Sequence, residues 1–238
     1  MIFFWWIVVV SAVSLGASWY ARRFARVDAL VGLYVVLALA AQIAATKIMA
    51  LDAWGVTLTV PAGIIAFSVT YLVSDVVNER FGRSEAVRMI FISLCAQGVA
   101  FLIFLFALKM PSAPWWAGQE AFASVVGLSL RVAVAGWIAF FASETIDAYL
   151  FAWFKKLTGG RQVWMRSAFS SLPAMVVDSI VFVVLAFAGA APLIPLIVGQ
   201  IIAKWIVGVI DVPFLYLNRT VLYRGAPVAV ADGKQPHC

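Results

Sequence analysis

The stretch VPAGIIAFSVTYLVSDVVNERFGR, residues 60–83, is apolar enough to cross a bilayer as a helix, yet it carries Asp75 and Glu79. Phe67, Tyr71, Asp75 and Glu79 recur every four residues, with Ser74 and Asn78 beside them. One helical face is therefore both aromatic and acidic. A charged side chain near the middle of a spanning helix costs about 2.5 to 3.5 kcal/mol, so it needs an interior that hydrates or pairs it.

The same tension recurs further along the chain. Glu144, Asp147, Asp178 and Asp211 also sit inside long apolar runs, in a sequence with only 11 acidic residues. Several such acids imply a shared interior, and such an interior is usually a route or a pocket.

Composition sets the class. A chain of 238 residues that is 65% hydrophobic and 12% charged, with a mean hydropathy of +1.03, falls among polytopic membrane proteins. The formal charge of +6 does not indicate nucleic acid, because the basic residues punctuate the gaps between apolar runs instead of gathering on one soluble face. His237 and Cys238 lie at the very end and Cys95 within an apolar run. Neither a catalytic imidazole nor a metal-ligand spacing is present, so no catalytic residue, metal or cofactor is expected.

Apolar runs long enough to cross a ~30 Å hydrocarbon core begin near Ile2, Asp28, Val60, Ala86, Leu128, Ser167 and Pro192. The expected fold is an all-α polytopic membrane bundle of seven spans. Its parts are an N-terminal helix over 1–21, a six-helix domain over 28–224 and a disordered cytoplasmic tail over 225–238.

The sequence before Arg22 lacks a basic leader and reads as a retained span. Arg22, Arg23 and Arg26, then Arg80, Arg83 and Arg88, then Lys155, Lys156, Arg161 and Arg166, then Arg219, Arg224 and Lys234 fall on one side. Lys47, Lys109 and Arg131 fall near span ends on the other. The positive-inside rule then places the N-terminus outside and the C-terminus in the cytoplasm of a plasma-membrane protein. Trp54, Trp115, Trp116, Trp153 and Trp164 mark headgroup zones, the segment Lys109 to Gly127 is the longest outside loop with room for a short surface helix, and Pro173 and Pro213 are expected to kink their spans.

Polar faces recur on later spans. Trp137, Phe140, Glu144, Asp147 and Phe151 keep helical spacing on the fifth, Ser170, Ser171 and Asp178 share the sixth, and Gln200, Lys204 and Asp211 share the seventh. Under the assigned topology Asp75, Asp147 and Asp211 come to a similar depth. Each acid can instead pair with Lys204, Arg80 or Arg166 and hold helices together. Lys204, the one basic group deep in a span, is either a permanent counter-ion or one released when a substrate or proton arrives. Gln42 on the second span either lines the pocket or bonds across helices.

Carboxylates beside aromatic rings suit a planar, donor-rich ligand: an acid accepts two parallel N–H bonds along one edge while a ring stacks on the face. Guanine-like and amidine-like groups fit, cations and protons are attracted too, and anions are disfavoured.

At these residues the chain resembles the queuosine precursor transporter family, also called the vitamin uptake transporter family. The resemblance rests on Thr70 through Arg83 with Glu85 and Arg88, on Ser143 through Phe151, on Arg166 through Phe182, and on Lys204 through Leu217. It implies a six-helix transport core, here with one extra N-terminal helix, that imports a 7-deazaguanine precursor such as the 7-cyano or 7-aminomethyl base through a pocket between helices 3, 5, 6 and 7. By that resemblance Ser74, Asp75, Asn78, Glu79, Asp147, Asp178, Lys204 and Asp211 match polar motif positions. Glu144 and Met175 stand where the family pattern has glutamine, which changes both charge and hydrogen-bond pattern at the site.

The implied partners are a deazapurine and the lipid bilayer, with no nucleic acid, and a homodimer is compatible with the chain. Two other readings stay open. A small, alanine-rich membrane chain without a phosphate loop also suits the substrate-binding subunit of an ATP-driven vitamin importer. An intramembrane aspartyl protease would use two facing acids, although its Gly-x-Gly-Asp signature is missing from the sequence.

Overall fold

The computed structural model describes residues 2–53, 56–157 and 163–222. The expected disordered tail over 225–238 therefore lies outside the described residues. Among them are seven helices: α1 (Ile2–Phe24), α2 (Asp28–Ala44), α3 (Ile64–Phe81), α4 (Arg83–Lys109), α5 (Gln119–Leu157), α6 (Val163–Phe187) and α7 (Leu193–Leu222). Each corresponds to one of the apolar runs.

One stretch departs from the all-helical expectation. Between α2 and α3 the chain forms an antiparallel hairpin of β1 (Ile48–Ala53) and β2 (Val56–Pro61), paired from Ile48↔Pro61 to Ala53↔Val56. The β-branched alternation Val56-Thr57-Leu58-Thr59-Val60 favours a pleated surface, and Pro61 closes the strand where a ladder donor is no longer needed. Thr57 Oγ1 donates to Asp52 Oδ1 at 2.6 Å across one pair, which helps fix the register. The third helix accordingly starts at Ile64, not Val60.

A second departure concerns the segment after Lys109, expected to be an outside loop. The connection after Lys109 ends by Gly118, and α5 begins at Gln119, so the expected surface helix is the first turns of α5 itself. Gln119 fixes this entry: its Nε2 donates to the Leu108 carbonyl at 3.1 Å and its Oε1 accepts from Ser112 Oγ at 2.9 Å. α6 and α7 continue through Pro173 and Pro213.

The described residues divide into two compact units, the first drawn from 2–41, 65–102 and 207–222, the second from 42–53, 56–64, 103–157 and 163–206. The first is cored by Val10, Ala17 and Ala21 of α1, Leu30 of α2, the α3 ridge Val69, Leu72, Val73, Val76 and Val77, with Met89 and Leu222. Buried Ser18 Oγ donates to Asn218 Oδ1 at 3.1 Å, tying α1 to the end of α7. Gly82, with φ of 90°, is the whole joint between α3 and α4. Its N–H donates to the Asn78 carbonyl at 3.0 Å, the left-handed helix ending that glycine adopts without steric penalty.

The second unit is cored by Val132, Ala135 and Ala139 of α5 against Phe182, Val183, Ala186 and Phe187 of α6, with Leu196 of α7. The alanines let the backbones approach closely, as small residues do between membrane helices. Arg131 closes the end of α6, donating from Nε to the Leu185 carbonyl and from Nη2 to that of Ala188, each at 2.7 Å. These are carbonyls that a helix end leaves without partners.

Within this unit β2 lies against α7 at Gly199, where an added Cβ would strike the Thr59 carbonyl oxygen. Gly199→Ala is expected to destabilise the protein by about 1–3 kcal/mol through overpacking, read as a lowered Tm of the detergent-purified chain. Gly208→Ala, on the same helix with open space around it, should leave the Tm unchanged.

Polarity is inverted relative to a soluble fold. On α4 the buried line is Ala86, Met89, Ser93, Gln97 and Phe101, with Gln97 Nε2 donating to Ser93 Oγ at 2.8 Å. Phe91, Val99, Leu102, Ile103 and Phe106 face outward. A helix that hides its amide and shows Phe91 and Phe106 suits a hydrocarbon surrounding. Arg83–Lys109, Gln119–Ser143 and Leu193–Ile210 have the length and apolarity to cross a membrane, and Asp28–Ala44 and Pro173–Phe187 are shorter apolar helices.

Candidate functional site

In the first unit the spacing on α3 resolves into two faces. Leu72, Val73, Val76 and Val77 are buried, whereas Tyr71, Asp75, Asn78 and Glu79 are exposed and Ser74 is half-buried. The four-residue period therefore does place the ring and both acids on one stripe, turned away from the packed ridge. Ser68 and Thr70 on the buried side spend their hydroxyls locally, donating to the carbonyls of Ile65 at 2.8 Å and Phe67 at 2.7 Å. They leave the polar work of α3 to its other face.

In the second unit α6 and α7 bring Asp178 and Lys204 together, with Lys204 Nζ donating to Asp178 Oδ2. Both side chains are largely buried, 14% exposed for the lysine and 20% for the aspartate. Burial strengthens the attraction between them and makes either charge expensive without the other. Of the partners open to Lys204 from sequence, the fold selects Asp178.

Gln200, one turn before Lys204 on α7, is buried, as is Gln42 just after the small-residue stretch of α2. Phe140 is exposed and packs edge-on against Phe141, ring centres 5.8 Å apart, and Trp137 one turn earlier is half-buried. The side chains of Glu144, Asp147, Ser171 and Asp211 lie outside the described residues, although the helices that carry them are described. Arg131 and the Ser18–Asn218 bond were not legible as partners in the sequence. A polar residue inside an apolar run was the only signal for either.

A family profile described as "Putative vitamin uptake transporter" matches residues 61–218 of the chain. The chain belongs to that family. The match takes in α3 to α7, and with them Asp75, Glu79, Glu144, Asp147, Asp178, Lys204 and Asp211; Gln42 and α1 fall before it. The chain is also similar to a "Probable queuosine precursor transporter" of Bacillus subtilis (strain 168), at 23% identity over 196 residues that cover 80% of this chain and 85% of that protein. No solved structure matches. A helical membrane protein of a transporter family thus carries the acids and the lysine of its later apolar runs within the part that the family shares.

Proposed function

We propose that this family member imports a 7-deazaguanine-type precursor of queuosine, such as the 7-cyano or 7-aminomethyl base, across the plasma membrane. The observation that carries this reading is the exposed stripe of Tyr71, Asp75, Asn78 and Glu79 on α3, inside the family match. A carboxylate accepts the paired N–H edge of a guanine-like ring, and a phenol ring stacks on its face. Trp137 and Phe140 on α5, with the acids of α5, α6 and α7, supply further rings and acceptors of the same kind. The name of the Bacillus subtilis relative supports the substrate class. Within this reading the seven helices are spans, with the N-terminus outside and the C-terminus in the cytoplasm, and α1 is an addition to a six-helix core.

Purified chain in liposomes should accumulate labelled 7-cyano- or 7-aminomethyl-7-deazaguanine faster than protein-free liposomes do. Absence of uptake for both bases overturns the proposal. Uptake that appears only after addition of a copurifying ATPase pair would instead assign the chain as the substrate-binding subunit of an ATP-driven importer.

A further inference from the structure

The first unit turns a basic rim outward at two helix corners. α1 ends at Phe24 and α2 starts at Asp28, while α3 and α4 meet at Gly82. Ala21 and Val27 of the first corner and Phe81 and Ala86 of the second all take part in one hydrophobic core, so both corners border the same body. Arg22, Arg23 and Arg26 lie at the first and Arg80, Arg83 and Arg88 at the second, against the acids Asp28, Glu79 and Glu85. Two of those acids are taken: Asp28 pairs with Arg26 at 3.4 Å and Glu85 with Arg88 at 3.5 Å. Arg22, Arg80 and Arg83 make no ion pair among the described residues, and Arg80 and Arg83 are exposed. Arg23, also exposed, holds its guanidinium over the Phe24 ring, 5.6 Å from its centre.

The flanks of this rim are apolar. Trp19, half exposed, stands edge-on to Phe24 with ring centres 6.0 Å apart, and α4 shows Val87 and Phe91 outward soon after Arg83. Guanidiniums directly beside outward aromatic rings suit the boundary between hydrocarbon and headgroups, where the abundant anion is a lipid phosphate. A guanidinium meets phosphate oxygens with two parallel N–H bonds, and with Asp28 and Glu85 engaged the rim keeps a positive excess. A zwitterionic headgroup brings its own cation to that excess and an anionic one does not, so repulsion acts against one lipid type alone. We propose that the two arginine corners of the first unit form a docking surface for anionic glycerophospholipid headgroups, taken in preference to zwitterionic ones. This goes beyond the import reading and does not depend on which solute is carried.

The test is native mass spectrometry of the full-length, detergent-purified chain equilibrated with equal amounts of dioleoylphosphatidylglycerol and dioleoylphosphatidylcholine, which differ in the headgroup alone. The native protein should retain the glycerol lipid over the choline lipid by about tenfold, the scale of one or two arginines beside an anionic headgroup. Arg23→Gln with Arg83→Gln, one change at each corner, should lower that ratio by about fivefold. Lys47→Gln with Lys109→Gln removes the same charge from exposed lysines of the second unit and should leave the ratio unchanged. Equal retention of the two lipids by the native protein overturns the inference even if no variant can be purified. A fall as large in the lysine pair as in the arginine pair also overturns it, because net charge would then account for the preference. Inorganic phosphate at the lipid's concentration should displace no phosphatidylglycerol; displacement would replace the lipid surface with a site for a free anion and overturn the proposal.

Discussion

Asp75→Asn is expected to reduce deazaguanine uptake by about ten- to a hundredfold while the protein melts as the native chain does. A hydrogen bond to a charged acceptor contributes about 1.5–3 kcal/mol, and each 1.4 kcal/mol is a factor of ten in affinity. Asparagine keeps the size of the side chain but replaces one acceptor oxygen with a donor, so it cannot take two parallel N–H bonds. Stability should be spared because Asp75 is on the exposed face of α3, away from Leu72, Val73 and Val76, which pack the first unit. Uptake within twofold of native, measured in the same liposomes, would remove Asp75 from the binding residues. A fall in Tm matching the fall in uptake would make it a structural acid.

The second large effect belongs to the α6–α7 ion pair. Lys204→Met leaves the Asp178 carboxylate largely buried without its cation and is expected to destabilise the chain by about 3–5 kcal/mol. The double variant Lys204→Met with Asp178→Asn should recover most of that loss, because neither residue then carries a charge into the interior. A double-mutant cycle on unfolding in detergent measures the coupling directly. Additive single effects would show that the two residues do not depend on each other, contrary to the bond between them.

The same pair shows how far sequence reasoning reaches. The spacing of Tyr71, Asp75 and Glu79 already put them on one stripe, since helical periodicity is local and α3 is a regular helix. The starts of α1 and α2 were equally legible at Ile2 and Asp28, the second because Asp28 heads an apolar run. The hairpin over 48–61 was not anticipated. Its strands are six residues each, and an apolar run that short reads the same in strand or helix until a partner strand is in place. Gly199 likewise looks like any small residue in a spanning helix until the Thr59 backbone is seen against it.

Chain order alone settles which segments are apolar enough for lipid, where acids interrupt them and which side chains share a helical face, because these follow from composition and a fixed 3.6-residue turn. The choice of Asp178 as the partner of Lys204, the docking of β2 on α7 and the capping of α6 by Arg131 join residues far apart in the chain. Such contacts are decided when helices pack, since a buried charge or an unpaired carbonyl is satisfied by whichever group the fold brings within reach.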